Sequence, residues 1–196
     1  MAKPVKPVTA RGEQTRQKLL QAAEQEFGEK GFHTASISSI TQRAGVAQGT
    51  FYIYYASKED IFKALVKDMG RKMRHFLTEA TEGITDRLEI ERKGLVFFLQ
   101  FALQHKNLYR IVMECQFIDE ATYRDYYEGM AEVYAGRLKR AQETGQIREG
   151  DAHAQAWVLM GIAVFMGMRY SIWEDALPPQ AVLDTATDFI ASGLTP

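Results

Sequence analysis

The sequence predicts an all-α fold: an N-terminal three-helix helix-turn-helix domain, then a C-terminal helical domain, about nine helices in total. Three observations carry this. Apolar residues recur three and four apart almost throughout, and no segment alternates apolar and polar for long. Proline and glycine gather at the breaks between those runs. The stretch 45–59, GVAQGTFYIYYASKE, reads as a sharp turn, a short helix and its exit.

The first helix is predicted over 13–29, with Leu19, Leu20, Ala23 and Phe27 as its apolar stripe and Gly31 as a left-handed cap. Ser36 is a natural N-cap for a short second helix through Arg43, with Ile37 and Ile40 inward. Gly45 allows the positive φ of the turn, and a third helix follows over 47–54. Ser57-Lys58-Glu59-Asp60 has capping-box spacing and starts a longer fourth helix with Ile61, Phe62, Leu65, Met69 and Met73.

Beyond residue 81 a helix over 86–105 is apolar on two sides, through Leu95, Phe98, Leu99 and Ala102 and through Phe97 and Phe101, and is therefore central. Asn107 is read as the cap of a short helix with Leu108, Ile111, Val112 and Cys115. A helix over 119–143 carries Tyr123, Tyr126, Tyr127, Met130, Tyr134 and Leu138, and Gly145 ends it. Asp151 caps an apolar helix through Trp173, and Pro178-Pro179 starts the last, with Val182, Leu183, Ala186, Phe189 and Ile190.

Composition excludes several classes. With 46% hydrophobic and 25% charged residues, the chain reads as a globular protein. The longest uncharged apolar run, 156–168, is 13 residues, which suits a buried helix rather than a bilayer span, so no membrane partner is expected. Residues 1–10 read as a flexible basic arm with Lys3 and Lys6, not as a cleaved leader. Four His and one Cys do not cluster, so no metal, cofactor or disulfide framework is expected. A cytoplasmic location follows as the expectation.

The net charge of -1 conceals an asymmetry. Residues 1–80 hold 13 Lys+Arg against 8 Asp+Glu, and residues 81–196 hold 11 against 17. A basic first part on an acidic remainder suits contact of the first part alone with a polyanion; two solvated surfaces of unlike charge are the plainer alternative.

In a helix-turn-helix the second helix enters the DNA major groove by its N-terminal residues. With Val46 and Phe51 packed inward, Gln48, Thr50, Tyr52 and Tyr54 are left exposed. Gln pairs with an adenine edge, and Thr offers a methyl and a hydroxyl. Tyr hydroxyls and Lys58 suit phosphate oxygens, and Ser36 and Ser38 sit at a helix N-terminus that favours a phosphate. For each residue alone, capping or packing is the plainer reading. Lys3, Lys6 and Arg11 could reach neighbouring phosphates.

The run 27–32 (FGEKGF), the run 38–46 (SSITQRAGV) and the run 49–61 (GTFYIYYASKEDI) resemble the TetR family of bacterial one-component regulators. The resemblance covers residues 16–65. It implies that Ser38, Gln48, Gly49, Thr50, Tyr52, Tyr54 and Lys58 approach DNA. Tyr55 stands where Phe is more usual; packed inside, its hydroxyl needs a partner. The implied organisation is a helix-turn-helix domain over 11–56, a connecting helix over 57–80, and a ligand-binding and dimerisation domain over 81–196.

The second domain's residues point the same way. The helix from Asp151 to Trp173 has two apolar faces, Trp157/Met160/Gly161/Val164/Met168 and Val158/Ile162/Phe165/Ile172. With Leu183, Phe189 and Ile190 of the last helix, the first face would form a four-helix interface across a two-fold axis; a monomer with this helix in its own core is the alternative. Phe98, Phe101, Tyr109, Met113, Phe117, Tyr123, Tyr127, Met130 and Tyr134 are candidates for a ligand pocket, although such stripes also make plain core. Arg169 either snorkels to the surface or anchors an anionic head group. Cys115 reads as an inert buried thiol, with a reactive sensor thiol as the alternative.

The expected function is a ligand-responsive repressor that binds a palindromic DNA operator as a homodimer. A small apolar or aromatic ligand, with fatty-acyl compounds among the candidates, would release it. An enzyme is not expected, because no nucleophile elbow, P-loop, dinucleotide fingerprint or zinc-protease motif occurs. A helical interaction module that has abandoned DNA is the other rival.

Overall fold

The computed structural model describes residues 9–196. Among them are nine α-helices and no strand, so the all-α expectation is borne out. They are α1 (Ala10–Thr34), α2 (Ile37–Ala44), α3 (Gln48–Tyr54), α4 (Lys58–Ala80), α5 (Arg87–Gln104), α6 (Lys106–Ile118), α7 (Glu120–Glu143), α8 (Ala152–Met166) and α9 (Gln180–Leu194). Helix α8 runs on as a π-helical segment, Gly167–Trp173. Most of the basic arm, with Lys3 and Lys6, lies outside the described residues. Its last two are structured: Thr9 caps α1 by accepting the Gly12 N–H (3.1 Å), and Ala10 begins the helix.

The chain divides into two compact units. The first holds residues up to Met69 together with Asn107–Arg124, and the second holds Gly70–Lys106 and Asp125–Pro196. Helix α4 passes from one to the other. Helix α6 and the start of α7, which lie inside the expected 81–196 domain, pack with the first unit.

The first unit closes on Leu19, Leu20 and Phe27 of α1, Ile40 of α2, Phe51 of α3 and Phe62 of α4, all at most 1% exposed. Phe62 meets Phe27 and Phe32 edge-on, with centroids 5.2 and 5.0 Å apart. Gly31 has the positive φ that the sequence suggests (76°), but its ψ of 164° is extended rather than left-handed helical. Only glycine adopts that backbone readily, and it kinks α1 before its last residues. Side chains from elsewhere in the unit satisfy the turn. Glu114 of α6 accepts the Phe32 N–H at 2.9 Å, and the Lys58 ammonium of α4 donates to the carbonyls of Phe32 (2.7 Å), Ala35 (2.9 Å) and His33 (3.3 Å).

Asn107 lies inside α6 rather than capping it, and its side chain covers Gly28 of α1. A Cβ on Gly28 would stand 2.2 Å from Asn107 Cγ and 2.5 Å from its Cβ. Gly28→Ala therefore forces α1 and α6 apart locally. We expect a loss of about 1–3 kcal/mol by overpacking, read from denaturant unfolding. Cys115 of α6 is fully buried, and burial pushes its thiol up to about 11. An aromatic disulfide reagent should label it only as fast as the chain unfolds; rapid labelling of the folded protein would reinstate the sensor reading.

In the second unit α5 is central as expected: the π-helical segment, α8 and α9 all pack on it, with Leu95, Leu99 and Ala102 buried. The buried Ser171 hydroxyl donates to the Leu99 carbonyl (3.0 Å) and ties the π segment to α5. Together α8 and that segment, Ala152–Trp173, are long and apolar enough to cross a membrane, a property the 13-residue uncharged run understates.

Candidate functional site

The turn between α2 and α3 is built from local chemistry. Ser36 Oγ accepts the Ser39 N–H (3.0 Å) while Ser39 Oγ accepts the Ser36 N–H (3.1 Å), a reciprocal capping box. At the other end Gly45 is left-handed (φ 67°, ψ 35°). Gly45 N–H donates to the Gln42 carbonyl and Val46 N–H to that of Thr41, which closes a Schellman motif. Phe51 anchors α3 beneath, edge-on to Tyr52 and tilted against Tyr55.

Ion pairs fasten α2 to α1. Arg43 Nε meets Glu26 at 2.7 Å and its Nη2 meets Glu29 at 2.7 Å, while Lys30 holds the other Glu26 oxygen at 2.8 Å. Burial alone would raise the Glu26 carboxyl, but the bonds from Lys30 and Arg43 outweigh it and hold it at about 2, against an ordinary 4.5. The folded state thus binds this proton more weakly than the unfolded chain does. The resulting stability is complete above about 4.5 and is lost as pH falls toward 2. Acid unfolding midpoints should show this loss in the wild type and not in Glu26→Gln.

These supports leave one face of α3 open. Gln48 and Gly49 are exposed, Tyr52 is 51% and Ile53 55% exposed, and Thr50 and Tyr54 are half-buried. Ser38 is exposed at the start of α2.

The second unit holds a cavity of about 150 Å³. Met73 and Leu77 of α4, Leu95 and Phe98 of α5, Met130 of α7 and Met160 of α8 are among its apolar walls. Its polar side carries Arg74, Arg87, Glu91, Tyr134 and Arg137. Arg87 Nη2 and the Tyr134 hydroxyl both donate to Glu91, one to each carboxylate oxygen, and the guanidinium lies 5.7 Å from the Tyr134 ring centre. Burial and the neighbouring Glu91 charge push the Tyr134 phenol well above its ordinary value, so it stays a neutral donor. Arg137 Nη2 donates to Thr78 Oγ1 (2.8 Å). Arg87 Nε is buried without a hydrogen-bond partner among the described residues.

A family profile described as "Bacterial regulatory proteins, tetR family" matches residues 19–65. The "Fatty acid metabolism regulator protein" of Bacillus subtilis is 30% identical over 140 residues, 67% of this chain and 70% of that protein. The chain belongs to the TetR family.

The "Uncharacterized HTH-type transcriptional regulator YdgC" of the same organism is 37% identical over 98 residues, 46% of this chain; the match spans half of that relative's length. The fold is also that of the transcriptional regulator FadR from Bacillus subtilis in complex with stearoyl-CoA. That structure has a TM-score of 0.75 and 22% identity over 90% of this chain and 98% of that one. The protein is thus a helix-turn-helix, DNA-binding regulator of the TetR family.

Within this TetR-family chain the predicted site residues are distributed unevenly. Ser38, Gln48, Gly49, Thr50, Tyr52 and Tyr54 lie together on the α2–α3 face. Ser36 sits beside them, but its hydroxyl caps α2. Lys58 is placed differently: its ammonium meets three backbone carbonyls and stands 4.4 Å from the Phe32 ring centre. Ile53, exposed on the same face, was missed because an isoleucine in a helix reads as core. Tyr55 packs inside, and among the described residues its hydroxyl has no hydrogen bond of normal geometry; burial raises its pKa and the Arg16 charge opposes this.

Of the pocket candidates, Phe98, Met130 and Tyr134 line the cavity. Phe101 packs instead against Phe76 and His105, and Tyr127 against Tyr126 and Trp157. Tyr109, Met113, Phe117 and Tyr123 belong to the first unit, with Phe117 84% exposed. Arg169 is on the surface, bonded to Glu174 (3.2 Å) and lying over Tyr170. The cations facing the cavity are Arg74, Arg87 and Arg137, which sequence reasoning missed. Of the interface candidates, Met160, Val164 and Ile190 line the cavity. Gly161, Met168 and Leu183 are half-buried, while Trp157 and Phe189 are 46% and 72% exposed. Val158 and Phe165, from the other apolar face of α8, are 60% and 68% exposed.

Proposed function

We propose that this chain is a ligand-released repressor, not an enzyme, that works in the cytoplasm and binds a palindromic operator as a homodimer. The reader is 11–56, the connecting helix 57–80, and the ligand and dimer domain 81–196. The observation that carries this reading is the open α3 face, where Gln48, Thr50 and Tyr52 stand exposed or half-exposed on a helix whose other side is locked by Phe51. Gln48 and Thr50 read base edges, Tyr52, Tyr54 and Ser38 meet phosphates, and the close backbone at Gly49 lets α3 enter the groove. Lys58 is assigned a positioning role, because it holds the turn that carries α2.

Two readers must stand about 34–36 Å apart to enter successive major grooves, which requires a partner subunit. The exposed Val158 and Phe165 of α8 and Phe189 of α9 supply an apolar face of the kind a two-fold interface covers. The effector occupies the second unit's cavity and is small and apolar or aromatic. The similarity to a fatty acid metabolism regulator supports a fatty-acyl compound. A cavity of about 150 Å³ suits one small ring as it stands, so a long acyl chain requires Met73, Met130 and Met160 to swing aside. Because Met73 and Leu77 belong to the helix that begins at Lys58, an effector in the cavity acts on α4 directly. It shifts DNA affinity only by its differential affinity for the two shapes.

Selection from a random-sequence DNA pool at near-physiological salt tests the reading. Enrichment of an inverted repeat, bound by two chains, is the expected result. Weak, salt-sensitive binding without enrichment would sink it and favour the interaction module.

A further inference from the structure

We propose that Arg87, Arg137 and Arg74 form a head-group subsite for a carboxylate, so that the effector is a free apolar acid rather than a neutral compound or an acyl thioester. This rests on the effector reading of the cavity. Three arginines line the space, and among the described residues that line it one carboxylate, Glu91, answers them. Glu91 is already occupied on both oxygens, by Arg87 and by Tyr134. The surplus is positive, and it lies at the edge of an otherwise apolar space where a bare cation is poorly solvated.

The donors are poised as well as charged. Arg87 is nine-tenths buried, and its Nε–H has no acceptor. Buried donors are nearly always satisfied, so this vacancy calls for an acceptor that a ligand can bring. Arg137 gives Nη2 to Thr78, and no other acceptor for its guanidinium is present among the described residues. A guanidinium fork matches the two oxygens of a carboxylate. The apolar walls formed by Leu95, Phe98 and Met130 then take the tail. An acyl thioester brings no carboxylate to a guanidinium fork, whereas a free acid with a short chain or ring does and fits about 150 Å³.

Calorimetric titration of the full chain with linear carboxylates of graded length, the matching alcohols and the matching coenzyme A thioesters decides the matter. We expect the best carboxylate to bind about tenfold or more tighter than its alcohol and its thioester, the size of one charge-assisted hydrogen bond. Arg137→Gln, which leaves the Arg87–Glu91 pair intact, should erase that preference while the alcohol's affinity stays within about twofold, since the tail site is untouched. Equal affinity for acid and alcohol, tighter binding of the thioester, a preference that survives Arg137→Gln, or no binding by any probe would overturn the subsite. Operator release is measured separately. If acids and alcohols release DNA alike, the effector reading stands and the subsite fails; selective acid binding without release leaves the subsite and removes the effector reading.

Discussion

Arg87→Met should destabilise the folded chain by about 3–5 kcal/mol, because it leaves the Glu91 carboxylate buried without its cation. Glu91 is 5% exposed and Arg87 7% exposed, so bulk water solvates the lost partner's place poorly. The Tyr134 hydroxyl remains as a donor to Glu91, but a neutral donor compensates a buried charge only in part. The same substitution with Glu91→Gln should recover most of the loss, since it removes the orphaned charge rather than the packing. Denaturant unfolding of the two variants checks this. A single Arg87→Met variant as stable as the wild type would show that Glu91 reaches water or takes up a proton at no cost.

The triple replacement Gln48→Ala, Thr50→Ala, Tyr52→Ala should abolish operator selectivity and leave the thermal midpoint almost unchanged. All three side chains lie on the open face of α3, none makes a hydrogen bond within the fold, and Phe51, which carries the packing, is retained. Specific sites typically bind about 10³-fold or more tighter than random DNA, and base contacts at about 1–3 kcal/mol each carry much of that margin. The measurement is affinity for the selected inverted repeat against scrambled DNA at one salt concentration. Loss of affinity for both sequences alike would mean that these residues serve phosphate contact only. Phe51→Ala is the contrast: about 3–5 kcal/mol of core loss should remove binding by unfolding the reader.

Much of the reader was legible because its determinants are local. Ser36 with Ser39, Gly45 and Val46 with the end of α2, and Ser57 with Asp60 each act within five residues or fewer, so spacing alone placed α2, α3 and the start of α4. The departures there come from long-range bonds. Nothing near Lys58 in the sequence announces that carbonyls 23 to 26 residues earlier will accept its hydrogen bonds. Ile53 is exposed although its type suggests core, because the short α3 has one buried side and Phe51 fills it.

The second unit was legible as helices but not as a site. Apolar spacing of 3.6 residues shows that a helix has an inner face, not which neighbour it meets. Phe98 and Met130 reach the cavity, whereas Tyr109, chosen on the same grounds, is carried into the first unit by α6. Arg169 by contrast was legible: a cation in an apolar helix is expected to snorkel to the surface, and it does so, bonded to Glu174. Arg87, Glu91 and Arg137 were passed over because charges on helices ordinarily face water, whereas Tyr134, drawn from the aromatic stripe of α7, does line the cavity; only packing of α5 and α7 brings the four together.

The sequence by itself determined the all-helical class, the TetR-family reader and the residues on its open face, because turns, caps and short amphipathic helices depend on neighbours within about one helical turn. Tertiary structure alone decided which side chains enclose the cavity, which cations face it and which part of α8 stays exposed. Those outcomes depend on how distant helices pack, a relation that the period of any single helix does not encode.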